Sequence, residues 1–128
     1  MDINKLQNYW FAGYEDALLT AEKLYETKRY HHALFFGHFA LEKLLKAVVV
    51  KKTKTHATPT HDLRILIKES GIDLPQDYIE NIKNINAFNI RARYDDIQLR
   101  FYKLATEEYT RIWFSKIKEI CLWLEKKI

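Results

Sequence analysis

The stretch that most constrains the fold is residues 30–52, YHHALFFGHFALEKLLKAVVVKK, because it predicts a helix that is apolar on almost every face. A helix of this kind is central to a bundle or also contacts a partner chain. Its polar stripe, His38, Glu42 and Lys46, repeats every four residues beside Phe35 and Phe39. An i,i+4 ion pair accounts for Glu42 and Lys46 alone. A homodimer interface or a lined groove also accounts for the two phenylalanines.

Four other segments have helical patterns, at about residues 4–26, 62–70, 75–87 and 106–127. Three glycines and two prolines in 128 residues argue against many short strands. We expect Gly37 to let the first helix approach the second near Gly13, which gives a helical hairpin. Thr60 or His61 is expected to cap the third helix, with Gly71 ending it and Thr106 capping the last.

Residues 88–101 have no clean period and predict a connector with one short helical turn. The chain is therefore expected to be a single all-α domain over residues 1–128. The predicted architecture is an up-and-down helical bundle of three long and about two short helices.

The rest of the composition indicates a cytoplasmic protein. Cys121 is the single cysteine, and it follows an apolar stripe, which favours burial over reactivity. The first residues lack the basic start and apolar run of a signal peptide, and no run approaches the roughly 20 apolar residues that span a bilayer. We therefore expect no contact with a membrane.

The net charge of +4 is mild, but its distribution is uneven. Residues 43–61 contain five lysines and two histidines and no acid. A solvated helix end accounts for this, since cations are favoured there, and so does a site for phosphate or another anion. His61 and Asp62 have two readings as well, a cap with a surface histidine or an anion site at a helix N-terminus.

The connector offers two arginines, Arg91 and Arg93, that could bind one phosphate. They could equally pair with Asp95 or Asp96 and pin the loop. Several chemistries lack support, because the chain has no Gly-rich phosphate loop, CxxC pair or HExxH helix. His31 and His32 are adjacent and point to different faces, which makes a poor metal pair. We expect neither a metal nor a cofactor.

Three motifs in order resemble the HEPN domain, a nucleotide-binding domain of higher eukaryotes and prokaryotes. They read ALEKLLKA at 40–47, HDL at 61–63 and RYDD at 93–96, and they extend over nearly the whole chain. The polar positions of the family fall on Glu42, Lys46, His61, Arg93 and Tyr94. The family's RYPD is RYDD here, so Asp95 replaces the proline and Asp96 takes the acid position.

This resemblance implies a helical bundle that is commonly a homodimer. It also implies a frequent partner, a minimal nucleotidyltransferase, often in a toxin–antitoxin pair. HEPN ribonucleases carry an arginine followed four to six residues later by a histidine that acts across a dimer cleft, and neither Arg91 nor Arg93 has one. A nucleotide-binding or accessory role is therefore expected more than an enzyme. The alternatives are a metal-independent ribonuclease toxin with a non-standard His61 site, and a non-catalytic dimeric interaction module.

The expected ligand is a nucleotide or RNA. We expect five residues to bind its phosphate or base: Lys46, His61, Arg91, Arg93 and Tyr94. Glu42, Asp62 and Asp96 are expected to support them. The dimer interface is expected at Phe35, His38 and Phe39.

Overall fold

The computed structural model describes residues 2–91 and 95–128, except for the side chains of residues 91 and 95–97. Within this part of the chain it contains six helices and no strand. The helices are α1 (Ile3–Glu26), α2 (Tyr30–Thr53), α3 (Leu63–Ser70), α4 (Gln76–Arg91), α5 (Asp95–Leu104) and α6 (Glu107–Glu125). The predicted all-α helical bundle is confirmed.

Helix α2 is the centre of the bundle. It packs against each of the other five helices, and between Ala40 and Val50 every residue except Lys43 is buried. A stretch that is apolar all round is stable as a helix only when neighbours cover all of its faces. The core is therefore built around α2.

Helices α1 and α2 form the predicted hairpin, with the most extensive packing of any helix pair. Helix α1 buries Tyr14, Ala17 and Ala21, one turn apart, against α2. After the cap at Thr27, Lys28 takes a left-handed conformation with φ 64°. The Arg29 amide then donates to the Leu24 carbonyl at 2.8 Å. These bonds end α1 and reverse the chain.

The close approach at Gly37 is to α6 and not to α1. A Cβ on Gly37 would lie 2.8 Å from Ile117 Cδ1, whereas a Cβ on Gly13 would lie 3.0 Å from Lys43 Cδ. The prediction that Gly37 meets Gly13 is therefore wrong. Because every face of α2 is apolar, its periodicity does not indicate which neighbour covers which face.

The cap of α3 is Asp62, and the prediction of Thr60 or His61 is wrong. Asp62 Oδ1 accepts a hydrogen bond from the Arg64 amide at 3.0 Å. Thr60 lies one step earlier, where its Oγ1 accepts from the Asp62 amide at 3.0 Å. Gly71 ends the helix in a left-handed conformation with φ 69°, as predicted.

The predicted connector is largely helical, since α4 extends to residue 91 and α5 begins at residue 95. Phe88 and Phe101, one from each helix, are buried and stack with ring centroids 5.4 Å apart. Burial of these rings stabilises two helix ends whose local periodicity is weak.

Helix α6 begins as predicted, with Thr106 Oγ1 accepting from the Tyr109 amide at 3.2 Å. Ile117, Ile120 and Leu124 point into the core. Cys121 is fully buried beside them, which confirms its packing role, and burial raises the pKa of its thiol. Among the described residues, no helix is long and apolar enough to cross a bilayer.

Candidate functional site

The polar stripe of α2 lies inside the protein. His38, Glu42 and Lys46 are 1%, 2% and 6% exposed. His38 and Glu42 contact His61, in the loop before α3. Charged side chains at such depth need partners, because an unpaired buried charge costs several kcal/mol.

Glu42 has two partners, one for each carboxylate oxygen. Its Oε2 accepts from Lys46 Nζ at 3.0 Å, one helical turn away. Its Oε1 lies 2.9 Å from His61 Nδ1. An ionised carboxylate can accept hydrogen bonds but cannot donate them, so Nδ1 of His61 carries the proton and donates. Glu42 therefore fixes the tautomer and the orientation of the His61 ring.

His38 holds the backbone of the same residue. Its Nε2 lies 3.1 Å from the His61 carbonyl oxygen, which only accepts, so Nε2–H donates. Burial lowers the pKa of His38 to about 4, which outweighs the opposing effect of the Glu42 carboxylate. His38 is therefore a neutral hydrogen-bond donor at neutral pH.

His61 is the part of this cluster that reaches solvent, with its side chain 52% exposed. Its Nε2 makes no hydrogen bond within the described part of the chain. Both the ring and the carbonyl are anchored to α2, so Nε2 is held outward in a defined position. Such a nitrogen accepts a proton, or donates one to an anion when the ring is charged.

Asn86 of α4 completes the cluster. Its Oδ1 accepts from the Leu63 amide and its Nδ2 donates to Asp62 Oδ1, both at 2.9 Å. Arg64 binds both oxygens of Asp62 at 3.2 Å. The pKa of Asp62 is lowered, and hydrogen bonds from the Arg64 side chain are the largest cause. Asp62 is thus a cap whose charge is already paired.

Sequence analysis missed Asn86. Its signal is an amide on the face of α4 that otherwise carries Ile82 and Ile85. An amide at such a position is expected to satisfy buried backbone groups, here the free amide at the start of α3.

Lys46 and Lys43 extend in different directions. Lys46 Nζ lies 3.0 Å from Glu42 Oε2 and 4.9 Å from the centre of the Trp10 ring. The Lys43 stem covers Gly13, and its Nζ lies 4.6 Å from the centre of the Phe39 ring. The charge of Lys46 is therefore balanced by Glu42 within the chain.

Not every predicted site residue can be placed relative to this cluster. Arg93 and Tyr94 lie outside the described residues, as do the side chains of Arg91 and Asp96. Phe35 and Phe39 form a half-buried aromatic group with Phe36, with ring centroids 5.4 to 6.3 Å apart. His38 lies beneath the surface, so a second copy could not reach it.

Within the described part of the chain, no group of three or more histidine, cysteine, aspartate or glutamate side chains could hold a metal ion. The cluster therefore offers one oriented imidazole and a set of hydrogen bonds that fix it. It suits acid–base chemistry or the binding of an anion.

Comparison with known proteins identifies the family. A comparison with curated proteins gave no match. The fold is similar to the crystal structure of TT1696 from Thermus thermophilus, with a TM-score of 0.82, 19% sequence identity and coverage of 100% of both chains. The family model of the HEPN domain matches residues 8–127. The chain therefore belongs to the HEPN-domain family.

Proposed function

We propose that this HEPN-domain protein is a binding module that holds a nucleotide at His61 and acts as an accessory to a minimal nucleotidyltransferase. The observation that carries the binding role is the double attachment of His61, through its ring to Glu42 and through its carbonyl to His38. A side chain that is already fixed loses little conformational entropy when it binds a ligand.

The electrostatics of the cluster favour an anionic ligand. Glu42 and Lys46 cancel one another, so a protonated His61 adds an uncancelled positive charge at the protein surface. Phosphate is a strong acceptor of a charge-assisted hydrogen bond from such a ring. In this proposal Lys46 pairs with Glu42 and does not itself touch phosphate.

Calorimetric titration with ATP, GTP and a short RNA tests the binding role. His61→Asn is the informative variant, because its amide can still donate to Glu42 while the outer ring nitrogen is lost. We expect binding by the wild-type protein and a loss of about tenfold or more in His61→Asn. Lys68→Gln, which removes an exposed cation of α3, is the control and should bind as the wild type does. If the wild-type protein binds none of the three ligands, the proposed nucleotide-binding role is wrong.

The proposed nucleotidyltransferase partner and toxin–antitoxin role rest on the partners that are frequent in the HEPN family. The relevant observations are whether an adjacent reading frame encodes a small nucleotidyltransferase and whether the two purified proteins form a complex. A mixture that elutes as two separate species would remove this partner.

A ribonuclease remains a second candidate, because a carboxylate-oriented imidazole is also suited to act as a general base. Incubation of total RNA with wild type and His61→Asn separates the two roles. Cleavage by the wild type alone would favour a ribonuclease, and equal RNA profiles would remove it.

A homodimer through the aromatic group of Phe35, Phe36 and Phe39 is also proposed. Its support is three neighbouring rings that remain partly exposed on one face of α2. Light scattering should give a dimer for the wild type and a monomer for Phe35→Glu. Leu19→Glu, at an exposed leucine of α1, should stay dimeric. A wild-type monomer would contradict the proposal.

A further inference from the structure

A second concave site lies at the end of the bundle where α1 turns into α2 and α5 into α6. Its cavity has a volume of about 500 Å³. The residues lining it include Lys28, Arg29, His31, His32, Tyr102 and Lys103, and none is an acid. His31 and Glu42 are eleven residues apart on α2, or roughly 16 Å along the helix. This site is therefore separate from His61.

The cations of this pocket have no ion-pair partners among the described residues. Lys28, Arg29 and Lys103 form no ion pair within the described part of the chain. Tyr30 also lines this pocket, and the pKa of its hydroxyl is raised first by burial and second by the carboxylate of Glu107. Glu107 is therefore a carboxylate near the pocket. Three lysine and arginine charges from two chain segments thus remain in excess at one cavity.

Lys28 has a left-handed φ of 64°, a conformation that strains a residue with a Cβ and that glycine usually takes after a helix. This conformation ends α1 and places Lys28 in the wall of the cavity. Lys54, at the end of α2, has the same conformation with φ 59° but does not line this cavity.

The walls of the pocket are aromatic. The His31 and His32 rings are 3.9 Å apart, so the prediction that they point to different faces is wrong. The His31 ring meets the Tyr102 ring edge-on at 5.2 Å. The pKa of His31 is lowered, mainly by burial and secondly by the neighbouring His32. A further cavity of about 320 Å³, lined by His31, Gln98, Leu99 and Tyr102, shares His31 and Tyr102 with the first.

We propose that this pocket binds a phosphate monoester carried by a small molecule, with the phosphate among Lys28, Arg29 and Lys103 and the attached ring against Tyr102. A monoester carries nearly two negative charges at neutral pH, which suits several cations better than the single charge of a phosphodiester. The volume lies in the range of small-ligand pockets. Tyr102 is 62% exposed, so its ring is open to stacking.

Calorimetry with AMP, ribose 5-phosphate, inorganic phosphate and adenosine tests this proposal. We expect AMP to bind, the other two phosphates to bind more weakly, and adenosine not to bind. Lys28→Gly should weaken AMP binding about fivefold or more and raise the melting temperature, because it removes both a charge and a strained conformation. A variant that is more stable yet binds less cannot be explained by loss of folding.

Lys54→Gly is the matched control, since it relieves the same strain at the other end of α2. It should raise the melting temperature and leave AMP binding unchanged. Lys68→Gln, which removes an exposed cation of α3 that does not line this cavity, should also leave it unchanged. AMP binding that is lost in His61→Asn but kept in Lys28→Gly would overturn the proposal. So would equal binding of adenosine, or stronger competition by RNA without a terminal phosphate, which would indicate a strand-binding surface.

Discussion

Two groups of charged side chains, one on α2 around Glu42 and one at the turn between α1 and α2 around Lys28, differ in their partners. Glu42 and Lys46 are buried and paired with one another. Around Lys28, the cations are exposed and unpaired within the described residues. A buried charge must be paired for the protein to fold, whereas an exposed one is stabilised by water. Removal of one buried charge from the first group should therefore lower stability, whereas removal of an exposed cation from the second should not.

The largest effect is expected from Glu42→Gln, which leaves the ammonium of Lys46 buried without a counter-ion. Removal of one partner of a buried pair typically costs about 3 kcal/mol or more. Urea denaturation should show a loss of this size in the free energy of unfolding.

The double variant Glu42→Gln/Lys46→Met sharpens the interpretation. It removes both charges, so it should recover most of the lost stability. Wild-type stability in Glu42→Gln alone would mean that Lys46 reaches water, and the paired-interior account would then be wrong.

Acid should destabilise the protein through His38. The pKa of His38 is about 4 when folded and roughly 6.5 in an unfolded chain. Between these values the unfolded chain binds a proton that the folded chain does not, so stability falls as the pH falls from about 6.5 to 4. The loss from this residue should approach about 3 kcal/mol at the lower pH, measured by urea denaturation at several pH values.

His38→Gln is the matching control for the acid effect. Its amide can still donate to the His61 carbonyl, but it does not titrate, so the fall between pH 6.5 and 4 should be smaller. An unchanged pH dependence would show that another group causes it.

The smallest effect is expected at an exposed pair of α1, Lys23 and Glu26. Their charged atoms are 3.4 Å apart, but their side chains are 68% and 61% exposed. Lys23→Ala should change the free energy of unfolding by less than about 0.5 kcal/mol. A loss as large as that of Glu42→Gln would show that burial does not distinguish the two pairs.

Most of the fold could be predicted because its signals are local. The period of α1 and α6, the cap at Thr106 and the stop at Gly71 depend on neighbours in sequence. Helix α5 was missed because it is stabilised by distant packing, with Phe101 stacked on Phe88.

The site could be predicted only in part. The spacing of Glu42 and Lys46 predicts their ion pair, but spacing within α2 says nothing of His61, nineteen residues further along. The double role of Asn86 depends on where the start of α3 meets α4. The contact between Asn86 and the start of α3 could not be predicted from the sequence alone.

The central position of α2 has a consequence for hydrogen exchange. Because α2 contacts all five other helices, the buried part of it cannot open while they stay in place. Its amides should exchange only through global unfolding, so their protection reports the stability of the whole domain. A ligand at either site would then slow exchange along α2 by a factor set by the ratio of its free concentration to its Kd.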